Sequence, residues 1–449
     1  MSKRLIKNII LISLLTITFN SFILFSFAEE TNVIEFNQYS NVDLKKAIDI
    51  ALNQNRTLLQ EYEDNKIYKL KVKTEVTNFL PVFQASNDYK YNSNVNRRLL
   101  YSSLSPSRSI IRSQNETVVG VSQPISDLYK TSLNYRIAKE NYNVSMLNTT
   151  LQKETVIDDV SGLYFDILKQ IRTIKYNKEN VLSLEGYYKI AKDRFDHGEA
   201  LASDYLKIQV EVDNAKHDLY VEENKLQLLL TKFKNALGVD LEQDINIVEN
   251  FKEDDIASKS LEELGLIALE NRPDLKQQER NVTIARLNKK LSWAEYIPSV
   301  NFSVSYVHDY GSNFSVKDNV LLWVSASYDF WKWNQRYYGV KQQKSEITKT
   351  ELALKDYENQ IIIDVQDQLN TVNEAKNLID VSRNTVKYSE ESLRITKNRF
   401  EVGLALAIDL LNDQSNLLNS QVQLASSELD YQKSLVTLKK TLGILAPEQ

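Results

Sequence analysis

No cysteine occurs anywhere in this chain. That excludes disulfides and thiolate metal sites. Glycine and proline are scarce, 10 and 6 in 449 residues. They are the usual helix breakers, so their scarcity suits long uninterrupted helices. The only three histidines, His197, His217 and His308, lie far apart and outside any metal-ligand motif. Gly-x-Ser-x-Gly, Walker and Rossmann fingerprints are absent. The adjacent acids Asp158-Asp159 and Asp254-Asp255 point in different directions on a helix and read as solvated. The expectation is a protein that is not an enzyme, with no catalytic residue, metal or cofactor. A chain without excess positive charge also argues against nucleic acid as a partner.

Only one long apolar run is present, Ile9 to Phe27. Lys3, Arg4 and Lys7 precede it and Ser26-Phe27-Ala28 close it. That order is the pattern of a secretory signal, with cleavage expected after Ala28. The alternative is an uncleaved N-terminal anchor. Losing those three cations takes the net charge from -5 to -8. No other stretch reaches the ~20 apolar residues that span a bilayer as a helix.

What is present is present twice. Arg194-Phe195-x-x-Gly198 recurs as Arg399-Phe400-x-x-Gly403. Asp204 and Asp409 follow at equal distance, and Leu237-Gly238 and Leu442-Gly443 end the two blocks. Ahead of them, Leu44, Ala51-Leu52, Leu58 and Pro81 match Leu261, Ala268-Leu269, Leu275 and Pro298. The offset is 205 in the later block and 217 in the earlier, so a loop between them is longer in the first copy. Each copy is far longer than a solenoid repeat, which makes the chain a duplicated half-molecule.

Each half reads as helix-strand-strand-helix-helix. Residues 43–79 read as helix. Strands are expected at about 82–91 and 117–125, then at 299–308 and 320–330. Phe83, Ala85, Thr117, Val119 and Val121 share a register with Val300, Phe302, Leu322, Val324 and Ala326. Polar loops at 92–116 and 309–319 join the strands. Long helices of ~105 Å follow, roughly 125–196 and 331–401. Val156, Val160, Leu163, Ile167, Ile171 and Ile174 mark a helical stripe on the first. The return helices keep a step of seven: Tyr205, Val212, Leu219, Leu226 and Phe233, then Leu410, Leu417, Leu424, Tyr431 and Leu438. A sustained seven-residue step means coiled-coil packing. The expected organisation is a signal at 1–28, a first repeat at 29–238, an equatorial joint at 239–260, a second repeat at 261–443 and a tail at 444–449.

Strands of about ten residues have the length of tilted membrane strands. Four cannot close a barrel, and an open edge is not tolerated in lipid. Three chains would supply twelve strands. Aromatics near strand ends (Tyr89, Tyr91, Tyr306, Trp331, Trp333) suit an interfacial belt. A small soluble sheet with one buried face is the alternative.

With both Arg-Phe-x-x-Gly-x5-Asp blocks, both Leu-Gly endings and both helix-Pro-strand joints, the chain resembles the TolC family of outer-membrane efflux proteins over nearly all of its mature length. The resemblance implies a homotrimer in outer-membrane lipid: a twelve-stranded barrel continued by a periplasmic α-helical coiled-coil barrel. It implies an exit duct of a tripartite efflux pump or a type I secretion system. The implied partners are a periplasmic adaptor and an inner-membrane transporter of RND, ABC or MFS type. Arg194, Phe195, Gly198, Arg399, Phe400 and Gly403 would form the periplasmic tips where the adaptor docks. Asp204 and Asp409 would form an acidic ring at the entrance. The family often carries a second acid one turn beyond the later Asp; here that place holds Asn412, beside Asp413. Simpler roles stay open for the same residues. The glycines would cap helices, the arginines would meet helix dipoles, and the aspartates would cap the following helices. His197 would be a turn residue or a pH-sensitive contact. Another class stays open too, a periplasmic coiled-coil structural or adaptor protein without a channel.

Overall fold

The computed structural model describes residues 41–91, 113–250, 256–310 and 318–446. The expected signal, most of both hairpin loops and the last residues of the tail lie outside them. Asp43 starts α1 (Leu44–Gln54), its Oδ1 accepting from the Lys46 N–H at 2.9 Å. α2 (Arg56–Thr77) leads to β1 (Val82–Tyr91) and β2 (Ser113–Pro124). Then come α3 (Asp127–Asp196) and α4 (Ala202–Leu237). The second half repeats the order: α5 (Leu261–Asn271), α6 (Pro273–Ala294), β3 (Ser299–Tyr310), β4 (Asp318–Ser327), α7 (Gln335–Glu401) and α8 (Ala407–Thr441). In the joint, Val42 and Ile247 form a parallel bridge and Ile256–Ser258 a single 3-10 turn.

Several boundaries differ from the sequence reading. The helix expected over 43–79 is two helices. Asn55 leaves helical geometry (φ -60, ψ 123) to cap α2, its side chain accepting from the Leu58 N–H at 3.1 Å. β2 starts four residues earlier than 117, because the β1 ladder continues to Ser113. β4 ends at Ser327 rather than 330, and the chain then turns through positive φ at Trp333 and Asn334. Trp331 and Trp333 therefore follow the end of β4. Their rings meet edge to face at 5.7 Å.

The sheet runs β1-β2-β3-β4, antiparallel throughout, so β2 and β3 join the two copies. Its register lines up two apolar rows on one face. Phe83, Val121, Val304 and Leu322 form one row, and Ala85, Val119, Tyr306 and Val320 the next. Phe83 is 81% exposed and Leu322 69%, so this face has no covering layer within the chain. The opposite face is mixed: it carries Gln84, Gly120, Ser305, Ser122, Ser303, Ser86 and Asn319, together with Val82, Val118, Val307, Leu321 and Trp323. Toward the loops the apolar rows end at Asn87, Thr117, His308 and Asp318, where Asn87 Nδ2 donates to Thr117 Oγ1 at 2.7 Å. From Val300 to His308 a strand rises roughly 26 Å, near the about 25 Å apolar band of outer-membrane strands. At the other end exposed Tyr328, Phe330, Trp331 and Trp333 cluster, with the Arg336 guanidinium 5.0 Å from the Tyr328 ring. Among the described residues no helix is long and apolar enough to cross a membrane.

α3 has 70 residues and α7 has 67, but α4 and α8 have only 36 and 35. The return helices therefore cover only part of each long one. The remainder packs against α2 and α6, which stack end to end on α4 and α8. Asn55 Nδ2 donates to the Ala236 carbonyl at 2.7 Å, tying the start of α2 to the end of α4. Gly238 ends α4 in left-handed geometry (φ 80) against the backbone of Gln54 and Asn55. Gly443 repeats this after α8, against Asn271 and Arg272. The duplicated Leu-Gly endings are thus the splices of two near-continuous helices. Val156, Val160, Ile167 and Ile174 are buried as their spacing requires, but Ile171 is 41% exposed. Tyr164, Phe165 and Leu168 are buried too, because α1 and α8 cover α3 at that height.

Candidate functional site

The two Arg-Phe-x-x-Gly blocks form the turns between α3 and α4 and between α7 and α8. Both glycines take the left-handed conformation, φ 79 at Gly198 and 80 at Gly403. The hydrogen bonds are those of a Schellman cap. Glu199 N donates to Arg194 O at 2.8 Å and Gly198 N to Phe195 O at 2.8 Å. In the second copy Leu404 N donates to Arg399 O at 2.7 Å and Gly403 N to Phe400 O at 3.0 Å. The spacing of the motif is the spacing of this cap.

The side chains then break the symmetry of the repeat. Arg194 reaches across to the other hairpin, where its Nη1 donates to the Phe400 carbonyl at 2.7 Å. Its guanidinium lies 5.8 Å from the Phe400 ring centre. A Cβ at Gly403 would sit 2.6 Å from Arg194 Nη2, so Gly403 provides space for this arginine as well as a cap. Arg399 stays in its own turn, with Nη2 3.3 Å from the Leu404 carbonyl. Phe400 is buried among Leu393, Ala407, Leu410 and Leu411 of its own hairpin and Ile208, Val212 and Ala191 of the other. Phe195 is more open, its ring centroid 5.1 Å from that of Tyr205. Arg194 on Phe400 thus adds a polar link between the caps of the two hairpins to this shared apolar cluster.

The acids differ as well. Asp409 is exposed and its Oδ2 accepts from the Leu406 N–H at 3.3 Å, reaching back over the first turn of α8. Asp204 is half-buried in the first turn of α4, which has no side-chain cap bond. Asn412 is exposed, and Asp413 accepts from the Ser392 hydroxyl at 3.2 Å. His197 caps α3 with Nδ1 2.6 Å from the Asp193 carbonyl, a contact that raises its pKa. His217 and His308 are not brought to it; His308 lies on the sheet, 2.6 Å from Asp318. No group of three or more His, Cys, Asp or Glu among the described residues could hold a metal. The tips have a further property that the Arg-Phe-x-x-Gly motif does not encode. Leu201, Val402, Leu404 and Leu406 are each at least 66% exposed, an apolar rim on turns where polar residues are the norm. The signal was the run of Val402, Leu404 and Leu406 around Gly403.

A membrane-length sheet with a bare apolar face, carried on two very long helical hairpins, is the architecture of an outer-membrane channel subunit. The sequence matches the family described as outer membrane efflux protein over residues 47–239 and 266–444, and the chain belongs to that family. It is thus an outer-membrane protein of a family of efflux channels, not of enzymes. The fold is similar to solved structures at low identity. The outer membrane protein VceC of Vibrio cholerae gives a TM-score of 0.75 at 13% identity, covering 89% of this chain and 96% of that one. The CmeC outer membrane channel of Campylobacter jejuni gives 0.77 at 18%, covering 94% and 90%. The open-state MtrE outer membrane channel of Neisseria gonorrhoeae gives 0.70 at 18%, covering 94% and 95%. No curated protein matches the chain in sequence.

Proposed function

We propose that three copies of this chain form a passive exit duct of a tripartite efflux pump or a type I secretion system. The observation that carries this reading is the sheet. β1 and β4 each pair on one side only, and the apolar face lies bare. An open edge is excluded from lipid, so the edges must meet those of other copies. Three four-stranded sheets supply a twelve-stranded barrel. α7 supports the same assembly. Val381, Tyr388 and Ile395, at steps of seven, are 60%, 71% and 46% exposed, an open apolar stripe with coiled-coil spacing. The helices of three chains would line a periplasmic tunnel below the barrel.

At the far end of that tunnel, the apolar rims at Leu201 and at Val402, Leu404 and Leu406 suit docking of adaptor hairpins. The adaptor would in turn hold the inner-membrane transporter. Asp204 and Asp409 would stand in threefold rings around the entrance, where like charges repel and draw cations.

The test is planar-bilayer conductance of the detergent-extracted protein, with its mass measured in the same detergent. Small cation-selective currents from a trimer are the expected result. A monomer that extracts without detergent and never inserts would overturn the reading. Asp409→Ala is expected to raise closed-state conductance and lower cation selectivity. Unchanged currents in that variant would remove Asp409 from the entrance.

A further inference from the structure

Far from the tips, one acid is buried without its full set of partners. Glu154 in the middle of α3 is 2% exposed, and its Oε1 has no hydrogen-bond partner. The backbone N–H groups of Leu445 and Ala446 in the tail face its carboxylate. The side chain lines a cavity of about 380 Å³ bounded by α3, the α5–α6 junction, α7 and α8. That is the size of a small-molecule site.

The charges on its wall are unbalanced. Five carboxylates face two cations. Lys440 is taken by Asp158, at 3.0 Å, and Arg272 by Asp274, at 2.6 Å, and Asp364, at 3.3 Å. Glu154 and the exposed Asp367 are left over. A buried polar atom without a partner is costly, and a buried charge more so. The acids do not converge as metal ligands do. A fitting ligand would have its positive charges spread apart and would carry N–H donors.

We propose that this equatorial cavity binds a small polycationic amine, one ammonium donating to Glu154 Oε1 and another facing Asp367. The site stands independently of the duct reading. Its titration follows from the surroundings. Burial is the largest influence and pushes Glu154 up to about 7, while the tail N–H groups and Lys440 oppose the shift and Asp274 adds to it. A carboxyl raised in this way favours folding when protonated. Without ligand, that contribution is complete below the ordinary value of 4.5 and is lost as pH rises to about 7. The ammonium restores a partner to the ionised form, so it binds the charged cavity above that range. The other charged groups facing Glu154 are Asp158 on its own helix, Arg272 and Asp274 at the junction, Asp364 and Asp367 on α7, and Lys440 on α8.

The test is calorimetric titration of spermidine into the full chain in detergent, at constant ionic strength. Saturable binding is expected at about pH 8, with about tenfold weaker binding at about pH 5.5, where Glu154 is neutral. Glu154→Gln is isosteric and should weaken binding about tenfold or more, the loss of one charge-assisted hydrogen bond, and should flatten the pH dependence. Asp367→Asn, on an exposed side chain, should also weaken it and serves if Glu154→Gln does not fold. Heat that does not saturate, or equal affinity in the wild type and whichever of the two variants folds, would overturn the proposal.

Discussion

Among the described glycines, Gly238→Ala is expected to be the most damaging substitution. A Cβ there would stand 2.1 Å from the Gln54 carbonyl oxygen and 2.5 Å from its carbon, both backbone atoms that cannot turn aside. The left-handed φ of 80 adds about 1–2 kcal/mol for any L side chain. Overpacking adds about 1–3 kcal/mol more. The splice between α4 and α2 should therefore open, with a large fall in the thermal midpoint measured by circular dichroism in detergent. Two controls separate the causes. Gly198 has nearly the same φ but nothing within 4 Å, so Gly198→Ala should show the backbone cost alone. Gly186 lies inside α3 with nothing within 4 Å, and Gly186→Ala should stabilise by about 1 kcal/mol through helix propensity. A Gly238→Ala protein no less stable than Gly198→Ala would show that the splice is not tightly packed.

The largest functional change is expected from Arg194→Ala. Its guanidinium gives a charge-assisted hydrogen bond to the Phe400 carbonyl and covers the Phe400 ring, so it holds the first hairpin tip to the second. Losing a hydrogen bond to a charged group costs about 1.5–3 kcal/mol. Each 1.4 kcal/mol is about tenfold in an equilibrium, so parted tips should become at least about tenfold more populated. In a duct, single-channel recordings would show this as higher resting conductance. Arg399→Ala should change it far less, because the Arg399 guanidinium bonds to Leu404 within its own turn. Arg194→Lys should rescue poorly, since an ammonium lacks the planar fork that spans carbonyl and ring. Equal conductance changes in the Arg194 and Arg399 variants would refute the structural asymmetry as the cause.

That asymmetry marks how far sequence reasoning reaches. The two blocks share one local structure, the Schellman cap, in which Gly198 and Gly403 supply the left-handed residue. Which arginine crosses to the other hairpin depends on where two separate turns meet in space, and no local pattern encodes that. Ile171 shows the same limit within one helix. Its spacing puts it on the apolar stripe, but α1 and α8 cover α3 from another side and bury Tyr164, Phe165 and Leu168 instead.

The sequence by itself determined the duplication, the long helices and the faces of the strands. Those follow from short-range rules: few helix breakers, a step of three, four or seven for helices, and a step of two for strands. The register of β2 on β3, the break at Asn55, the role of the Leu-Gly endings and the burial of Glu154 were decided only by the tertiary structure. Each depends on a contact between residues far apart in the chain: Val121 with Val304, Asn55 with Ala236, Gly238 with Gln54, and Glu154 with the tail at Leu445. Packing selects such partners by shape and by unsatisfied hydrogen bonds, and both exist only once the helices lie side by side.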